Sequence, residues 1–478
     1  METRKYEEFR PIFFPGSIAV LGVSADGLNA GGRFYTSLLE SGFSGGVYAV
    51  NPRGGEIGGR PVYTSVCSIP YNVESVIIAV PATGILDVIE DCAGKGVKAA
   101  QIYTGGFSES ETDEGRRLEK ALVEKARQCG ILIVGPNCMG VYSPAHKLPY
   151  GMTGFVGESG PVGFVSQSGG LGGMVIDIGI TKGLKFSKVV SFGNGSMLDS
   201  VDYLEYLAED PATKIIGAYI EDTRNGSRFL HAARRIARDK PMIVLRGGRT
   251  EAGTRSVASH TGSLAAPEAV WAALLRQTGV IGVNSLEEMV DTLMVFQHFD
   301  RSVGRRLAFI SGLTGGGGGV GVSASDAFTG AGLALPVFQG ETQRRLKELL
   351  PPVGTIIYNP LDIGGQAIPP EKLTECLRVV DEDEGIDFIV FHERTGFFGQ
   401  PVYVRRSEGV NEILIKLKEL RGKPLVVVSP GGTSEEERVA VERRLINARI
   451  PVFPTMERAA AAMGNVSSYW QKRLELHG

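Results

Sequence analysis

The chain reads as a doubly wound α/β protein: a Rossmann-like domain over residues 1–145, then two related α/β domains over 146–300 and 301–478. Three observations predict this. Short, almost wholly apolar runs alternate with helix-patterned segments, as parallel strands covered on both faces require. Glycines cluster where an apolar run gives way to a helix. From about residue 146 onward the chain carries a long internal repeat.

Taken in order, the first domain offers five strands: "SIAVLGV" (17–23), "GVYAVNP" (46–52), "SVIIAVP" (75–81), "AAQIYTGG" (99–106) and "ILIVGPN" (131–137). Between them lie "TGILDVIEDCAGKG" and "DEGRRLEKALVEKARQCG", whose apolar residues recur at helical spacing and which both end at glycine, a helix stop. The alternation predicts a parallel sheet with helices on both faces.

The repeat organises the rest. "GPVGFVSQSGGLGGMVID" (160–177) and "RRLAFISGLTGGGGGVGVSASDA" (305–327) share the order strand, small-residue turn, helix. "KIIGAYIEDT" (214–223) is echoed by "IDFIVFHERT" (386–395), each bringing a glutamate to a strand end, Glu221 and Glu393. "KPMIVLRGG" (240–248) is echoed by "KPLVVVSPGG" (423–432). "GVIGVNSLEEMVDTL" and "RIPVFPTMERAAAAM" each place a Ser or Thr cap between a strand and a helix. The polar "HFDRSVGRR" (298–306) is the expected joint between the two units.

Composition bounds the function. With 50 basic and 53 acidic residues the net charge is −3, which makes no case for nucleic acid or an anionic membrane. No apolar run approaches the ~18–20 residues of a membrane span, and the polar start "METRKYEEFR" resembles neither a signal nor a transit peptide. Cys67, Cys92, Cys129, Cys138 and Cys376 form no CxxC pair, so reduced thiols of a cytoplasmic protein are expected, with no metal site. Glycine is the outlier: 65 of 478 residues, about twice the usual ~7%.

In the first domain Gly22, Gly27, Gly31 and Gly32 follow strand one, where a phosphate-binding turn belongs, with Ser24 inside the turn. A nicotinamide reading wants an acidic residue at the end of strand two for the ribose hydroxyl. The chain has Asn51, Pro52 and Arg53 there. That argues against NAD and for a nucleotide with an extra phosphate, which Arg53 would pair with; the alternative is a solvated loop arginine. The other strand ends bring "VPA" (Val80, Pro81), "TGGFSE" (Phe107) and "GPNCMG" (Asn137, Cys138) to the same edge. Cys138 is read as a buried structural thiol in preference to a nucleophile.

In order, "GVSADG", "VNP", "VPA", "GFSE", "GPNC", "VSQSGGLG", "YIED", "GRTEAGTRSVASHTGSLAA" and "NPLDIGG" resemble the α subunit of NDP-forming acyl-CoA synthetases. These are the ADP-forming acetate–CoA ligases, relatives of succinyl-CoA synthetase. The likeness covers nearly the whole chain, and "EAG-x-R…SHTGSLA" is its most specific part. It implies that the first domain binds coenzyme A, through the strand-end residues Gly22, Ser24, Asn51, Pro52, Arg53, Val80, Pro81, Phe107, Asn137 and Cys138. It implies flavodoxin-like folds for the two later domains and a phosphate carried covalently on His260.

The implied reaction is acyl-CoA + ADP + phosphate ⇌ carboxylate + CoA + ATP, through an acyl phosphate and a phosphohistidine. A neutral imidazole with a free pKa of about 6.5 is a competent nucleophile. Its other ring nitrogen needs an acceptor, a part the family gives to a glutamate and which Glu221 is placed to play. Phosphate needs positive potential, which helix N-termini supply. The repeat offers two such turns, one at Ser166, Gln167, Ser168, Gly169 and Gly170, the other at Gly315, Gly316 and Gly317. The light "RSVASHTGSLAA" (255–266) is read as a loop free to carry His260 between sites. No residues remain for an ATP-grasp module, so a separate β subunit is expected to hold ADP or ATP with Mg²⁺, in an α2β2 assembly. The alternative is a non-catalytic CoA-binding regulatory or scaffold protein of the same fold. "GLTGGGGG" in place of the family's "NAGGPG"-like turn, and the aromatic- and arginine-rich "HERTGFFGQPVYVRR" (392–406), leave the acyl group open.

Overall fold

The computed structural model describes residues 7–261, 267–299, 302–312, 317–364, 368–394, 401–419, 422–432 and 434–477. The first sheet comprises β1 (Ser17–Leu21), β2 (Gly46–Val50), β3 (Gly55–Ile57), β4 (Arg60–Tyr63), β5 (Ser75–Ile78), β6 (Ala99–Ile102) and β7 (Leu132–Val134). Their order is β3-β4-β2-β1-β5-β6-β7, and every pairing is parallel except the β3/β4 hairpin. All five expected strands form, and each stops short of its apolar run. The last residues of the runs (Gly22, Asn51, Val80, Tyr103, Asn137 and their neighbours) leave the sheet as turns at its carboxyl edge. Because β2 and β5 flank β1 on opposite sides, the chain leaves the sheet there in opposite directions, and a crevice opens at those strand ends.

Local chemistry sets the helix ends. Asn29 caps the helix Ala30–Glu40 by accepting from Gly32 N; Thr112 caps Asp113–Cys129 by accepting from Gly115 N. The helices Ile85–Lys95 and Asp113–Cys129 stop at Gly96 (φ 82°) and Gly130 (φ 68°). Any other residue would strain this left-handed backbone by ~1–2 kcal/mol.

The second sheet comprises β8 (Gly140–Tyr142), β9 (Ser159–Ser166), β10 (Phe186–Ser191), β11 (Ile215–Ile220), β12 (Met242–Arg246) and β13 (Ile281–Val283). The third comprises β14 (Leu307–Ser311), β15 (Leu361–Asp362), β16 (Phe388–His392), β17 (Leu425–Val428) and β18 (Val452–Phe453). Their orders are β13-β12-β11-β9-β10-β8 and β15-β14-β16-β17-β18. Setting aside β8, an antiparallel edge strand, the two sheets have one topology. The echoed segments occupy matching places: β9 with β14, β11 with β16, β12 with β17 and β13 with β18. This is a Rossmann-like sheet followed by two flavodoxin-like sheets.

Two compact units result. One extends through Ile180 and again over Leu184–Leu286; the other takes Thr181–Gly183 and everything from Glu287 onward. The helix Leu286–His298 thus belongs almost wholly to the second unit. There Asp291 pairs with Arg458 at 2.7 Å and Glu288 accepts from Asn465. In the first unit Lys188 and Asp210 form an ion pair at 2.6 Å, with side chains only 3% and 1% exposed. Among the described residues no helix is long and apolar enough to cross a membrane.

Candidate active site

At the carboxyl edge of the first sheet, backbone and side-chain hydrogen bonds knit the strand-end turns into one rim. Gly22 N donates to Val50 O, Ala79 N to Leu21 O, Tyr103 N to Ile78 O and Asn137 N to Thr104 O. Gly22 has φ +90°, and a Cβ there would lie 2.4 Å from Ala79 O, so only glycine lets the two turns meet. Asn51 Nδ2 donates to Val23 O (2.8 Å) and Asn51 Oδ1 accepts from Arg53 N (3.0 Å). An amide does here what an acidic residue would not: it joins the β1 and β2 turns as donor and acceptor together.

The predicted residues of this edge divide. Pro52, Arg53 and Pro81 are exposed and Val80 half-buried, with the Val80 carbonyl accepting from Thr104 Oγ1 at 2.6 Å. Arg53 has no ion-pair partner among the described residues. Ser24 spends its hydroxyl on Asp26 (2.5 Å) and its N–H on Asn29 (3.2 Å); the Ser24 hydroxyl, joined by Leu28 N, holds the Asp26 carboxyl below the usual carboxylate range. Two expectations need correction. The Phe107 ring is fully buried in the apolar core, because the turn folds it inward, so it is no wall for a ligand. Ser166 is also fully buried, and its hydroxyl donates to Ser168 O at 2.6 Å; it closes the turn and has nothing left for phosphate.

The structure brings Asn137 and Cys138 to the same cavity as Gln167, Ser168, Gly169 and Gly170, a space of about 360 Å³ shared with Met139 and Asn194. The helix Gly169–Thr181 opens at this wall, and its first N–H groups have no intrahelical acceptor. A side chain at Gly169 would strike Met139 at 2.6 Å, whereas one at Gly170 would meet nothing within 4 Å. The cavity is therefore tight at one glycine and open at the next. Cys138 is 3% exposed. Its thiol points at the carbonyls of Ile102 and Val134, and burial pushes it up to about 12, so it is no nucleophile at neutral pH.

Glu221 follows β11 directly and is 7% exposed. The Tyr219 hydroxyl hydrogen-bonds it, and burial together with that carboxylate lifts the tyrosine above its ordinary range. Gln167 joins this strand end to the glycine turn: its Oε1 accepts from Glu221 N (3.0 Å) and Asp222 N (3.2 Å), while its backbone N–H donates to Tyr219 O at 3.0 Å. A second, smaller cavity of about 30 Å³ includes Gln167, Asn194, Asp222 and Ser108 in its wall.

The turn 192–196, "FGNGS", was not singled out in the sequence, yet it is central. Gly193 has φ +52°, and a Cβ there would lie 2.2 Å from Asn137 O. Asn194 Nδ2 donates to Glu109 (2.5 Å), Glu119 (2.8 Å) and Ser108 (3.3 Å), and Arg224 donates to Asn194 O at 2.7 Å. Burial alone would raise the Glu119 carboxyl, but hydrogen bonds from Ser108 and Asn194 outweigh it and hold the group below its ordinary range. The signal was available: 192–196 is a Gly-x-Gly turn after a strand, of the kind read elsewhere in the chain.

His260 lies within the helix Glu251–Thr261, so the segment expected to be a loop is helical as far as Thr261. Thr250, Glu251 and Ala252 provide the physical reason: Thr250 Oγ1 accepts from Gly253 N, Glu251 pairs with Arg255 one turn on, and Ser256 returns its hydroxyl to Ala252 O. This helix packs against Ser108–Ser110. The His260 side chain and residues 262–266 lie outside the described residues, as do Gly315 and Gly316; Gly317 begins the helix Gly317–Gly330. His392 ends β16, 7% exposed, and burial brings it down to about 4.

Comparison with known proteins points the same way. The family described as "CoA binding domain" matches residues 16–144, "Succinyl-CoA ligase like flavodoxin domain" matches 159–296, and "CoA-ligase" matches 327–466. The chain is 34% identical to the acetate–CoA ligase (ADP-forming) I subunit alpha of Pyrococcus furiosus, over 96% of this chain and 97% of that one. It is 36% identical to the acetate–CoA ligase (ADP-forming) I of Archaeoglobus fulgidus over 96% of its own length, but spans only 63% of that protein. A solved structure of the dinucleotide-forming acetyl-coenzyme A synthetase 1 of Ca. Korarchaeum cryptofilum, in complex with phosphate and ADP, superposes with a TM-score of 0.86 at 32% identity, covering 98% of both chains.

Proposed function

The chain belongs to the family of ADP-forming acetate–CoA ligase α subunits, and from that premise we propose that it is the CoA-binding, phosphohistidine-carrying subunit of an ADP-forming acyl-CoA synthetase. The observation that carries this is the 360 Å³ cavity, where Asn137 and Cys138 of the CoA-binding region face the helix start at Gln167–Gly170. A thioester delivered by the first domain and a phosphate held at a helix N-terminus would meet there.

A phosphate oxygen attacks the thioester carbon, the C–S bond breaks, and the CoA thiolate leaves and takes up a proton. The resulting acyl phosphate is attacked at phosphorus by an imidazole nitrogen of His260, and the carboxylate leaves. Glu221 accepts the N–H of the other ring nitrogen and stabilises the imidazolium as it forms. The packing of the His260-bearing helix against Ser108–Ser110, beside Gln167 and Asp222, supports this assignment. Gln167, Ser168, Gly169 and Gly170 hold the phosphate, and by the sequence repeat Gly315, Gly316 and Gly317 form a second phosphate-binding turn. Coenzyme A lies along the rim from Gly22 and Ser24 through Asn51, Pro52, Arg53, Val80 and Pro81 to Asn137. The exposed Arg53 is suited to a nucleotide phosphate. An ATP-grasp β subunit in an α2β2 complex takes the phosphoryl group to ADP with Mg²⁺, and the protein works in the cytoplasm.

The test uses the chain alone, since this half-reaction needs no nucleotide. Incubation with acetyl-CoA and ³²P-phosphate should place acid-labile label on one histidine-containing peptide, that of His260, with release of free CoA. Label that persists in His260→Ala, or none in the wild type, overturns the assignment.

A further inference from the structure

Gln167 is a buried residue, 8% exposed, yet it reaches the walls of both cavities. Its amide orientation follows from hydrogen-bond logic. Two backbone N–H groups, of Glu221 and Asp222, converge on Oε1; the reversed amide would set N–H against N–H. The NH₂ end therefore takes the other side, where it has no hydrogen-bond partner among the described residues. A donor with no protein acceptor, opening on a cavity wall, is free to serve a ligand held there. Beside it the helix start at Gly169 and Gly170 presents further N–H groups, and the ligand these donors fit together is an oxyanion.

We infer that Gln167 is a positioning residue with two ends: its NH₂ takes an oxygen of the phosphate at the helix start, and its carbonyl fixes the strand end that aims Glu221. Phosphate occupancy and the placement of the His260 acceptor are thereby joined through one amide. This rests on the phosphoryl-transfer reading above.

Two substitutions separate the ends. Gln167→Glu keeps an oxygen for the Glu221 and Asp222 N–H groups but turns a second oxygen toward the anion. Gln167→Met loses both. Single-turnover labelling of the full chain with acetyl-CoA is followed against phosphate concentration. For Gln167→Glu the half-saturating phosphate concentration rises at least ~10-fold, while the maximal rate stays within about threefold of wild type. For Gln167→Met the concentration rises similarly and the maximal rate falls ~10–100-fold. In a Glu221→Gln background, Gln167→Met should lower the maximal rate no further, because both act through one group. Wild-type phosphate saturation in Gln167→Glu overturns the anion contact. Equal maximal rates for the two variants, or additive losses with Glu221→Gln, overturn the positioning role. Absence of label in the wild type overturns instead the reading on which the inference rests.

Discussion

Gly193→Ala is the sharpest probe of how the cavity is built. The added Cβ would lie 2.2 Å from Asn137 O and 2.3 Å from Pro136 O, so both backbone oxygens must retreat by about 1 Å. Three costs follow. The left-handed backbone at φ +52° strains alanine by ~1–2 kcal/mol. The hydrogen bonds Asn194 N to Pro136 O (3.0 Å) and Ser196 N to Gly135 O (3.2 Å) are lost at ~1 kcal/mol each. The sum is about 3–4 kcal/mol, which at ~2–4 °C per kcal/mol lowers the melting temperature of the first unit by roughly 10 °C. Trp271, 7% exposed in that unit, reports the transition by fluorescence in a Trp470→Phe background. Gly195→Ala is the control: φ is +58° there too, but the nearest atom is the Phe192 ring edge at 3.0 Å, which can tilt. It should lose only the ~1–2 kcal/mol of backbone strain. Shifting Asn137 by ~1 Å should also slow His260 labelling about 100-fold. If Gly193→Ala melts within 3 °C of Gly195→Ala, the close approach of the two turns is not what holds the cavity wall.

Three further outcomes follow from other groups. Burial keeps the His392 imidazole at about 4 against ~6.5 unfolded; between these values the unfolded chain binds a proton that the folded chain does not. Stability of the second unit therefore falls as pH drops from about 6.5 toward 4, by up to ~3 kcal/mol, and His392→Gln should flatten that limb in unfolding curves read from Trp470. Lys188→Met leaves Asp210, 1% exposed, without its cation and should cost ~3–5 kcal/mol in urea unfolding, most of it recovered in Lys188→Met/Asp210→Asn. Cys138→Ala should retain histidine labelling within about threefold, since a thiol held at about 12 supplies essentially no thiolate at neutral pH; loss of labelling would restore the nucleophile reading.

The strands were legible because parallel strands buried on both faces must be apolar throughout, and the repeat because equal topologies demand equal patterning. The same logic placed Asn137, Gln167 and Glu221 at strand ends. It missed Asn194, although "FGNGS" has the form of the turns it accepted, because a strand-end turn says nothing about which neighbour it will touch. It read 255–266 as a loop from its small residues; the Glu251–Arg255 and Ser256–Ala252 contacts, spaced one helical turn apart, make it helical as far as Thr261.

By itself, then, the order of residues determined what each segment is: its periodicity, its caps and the residues left at its carboxyl end. Those are short-range matters, settled by the steric and hydrogen-bonding preferences of neighbours in the chain. Only the tertiary structure decided which strand ends share a cavity, that Ser166 and Phe107 turn inward, and that one end of the Gln167 amide holds Glu221 while the other faces open space. Those outcomes depend on atoms far apart in the chain but within about 3 Å in space, where a hydrogen bond or a missing Cβ decides the geometry.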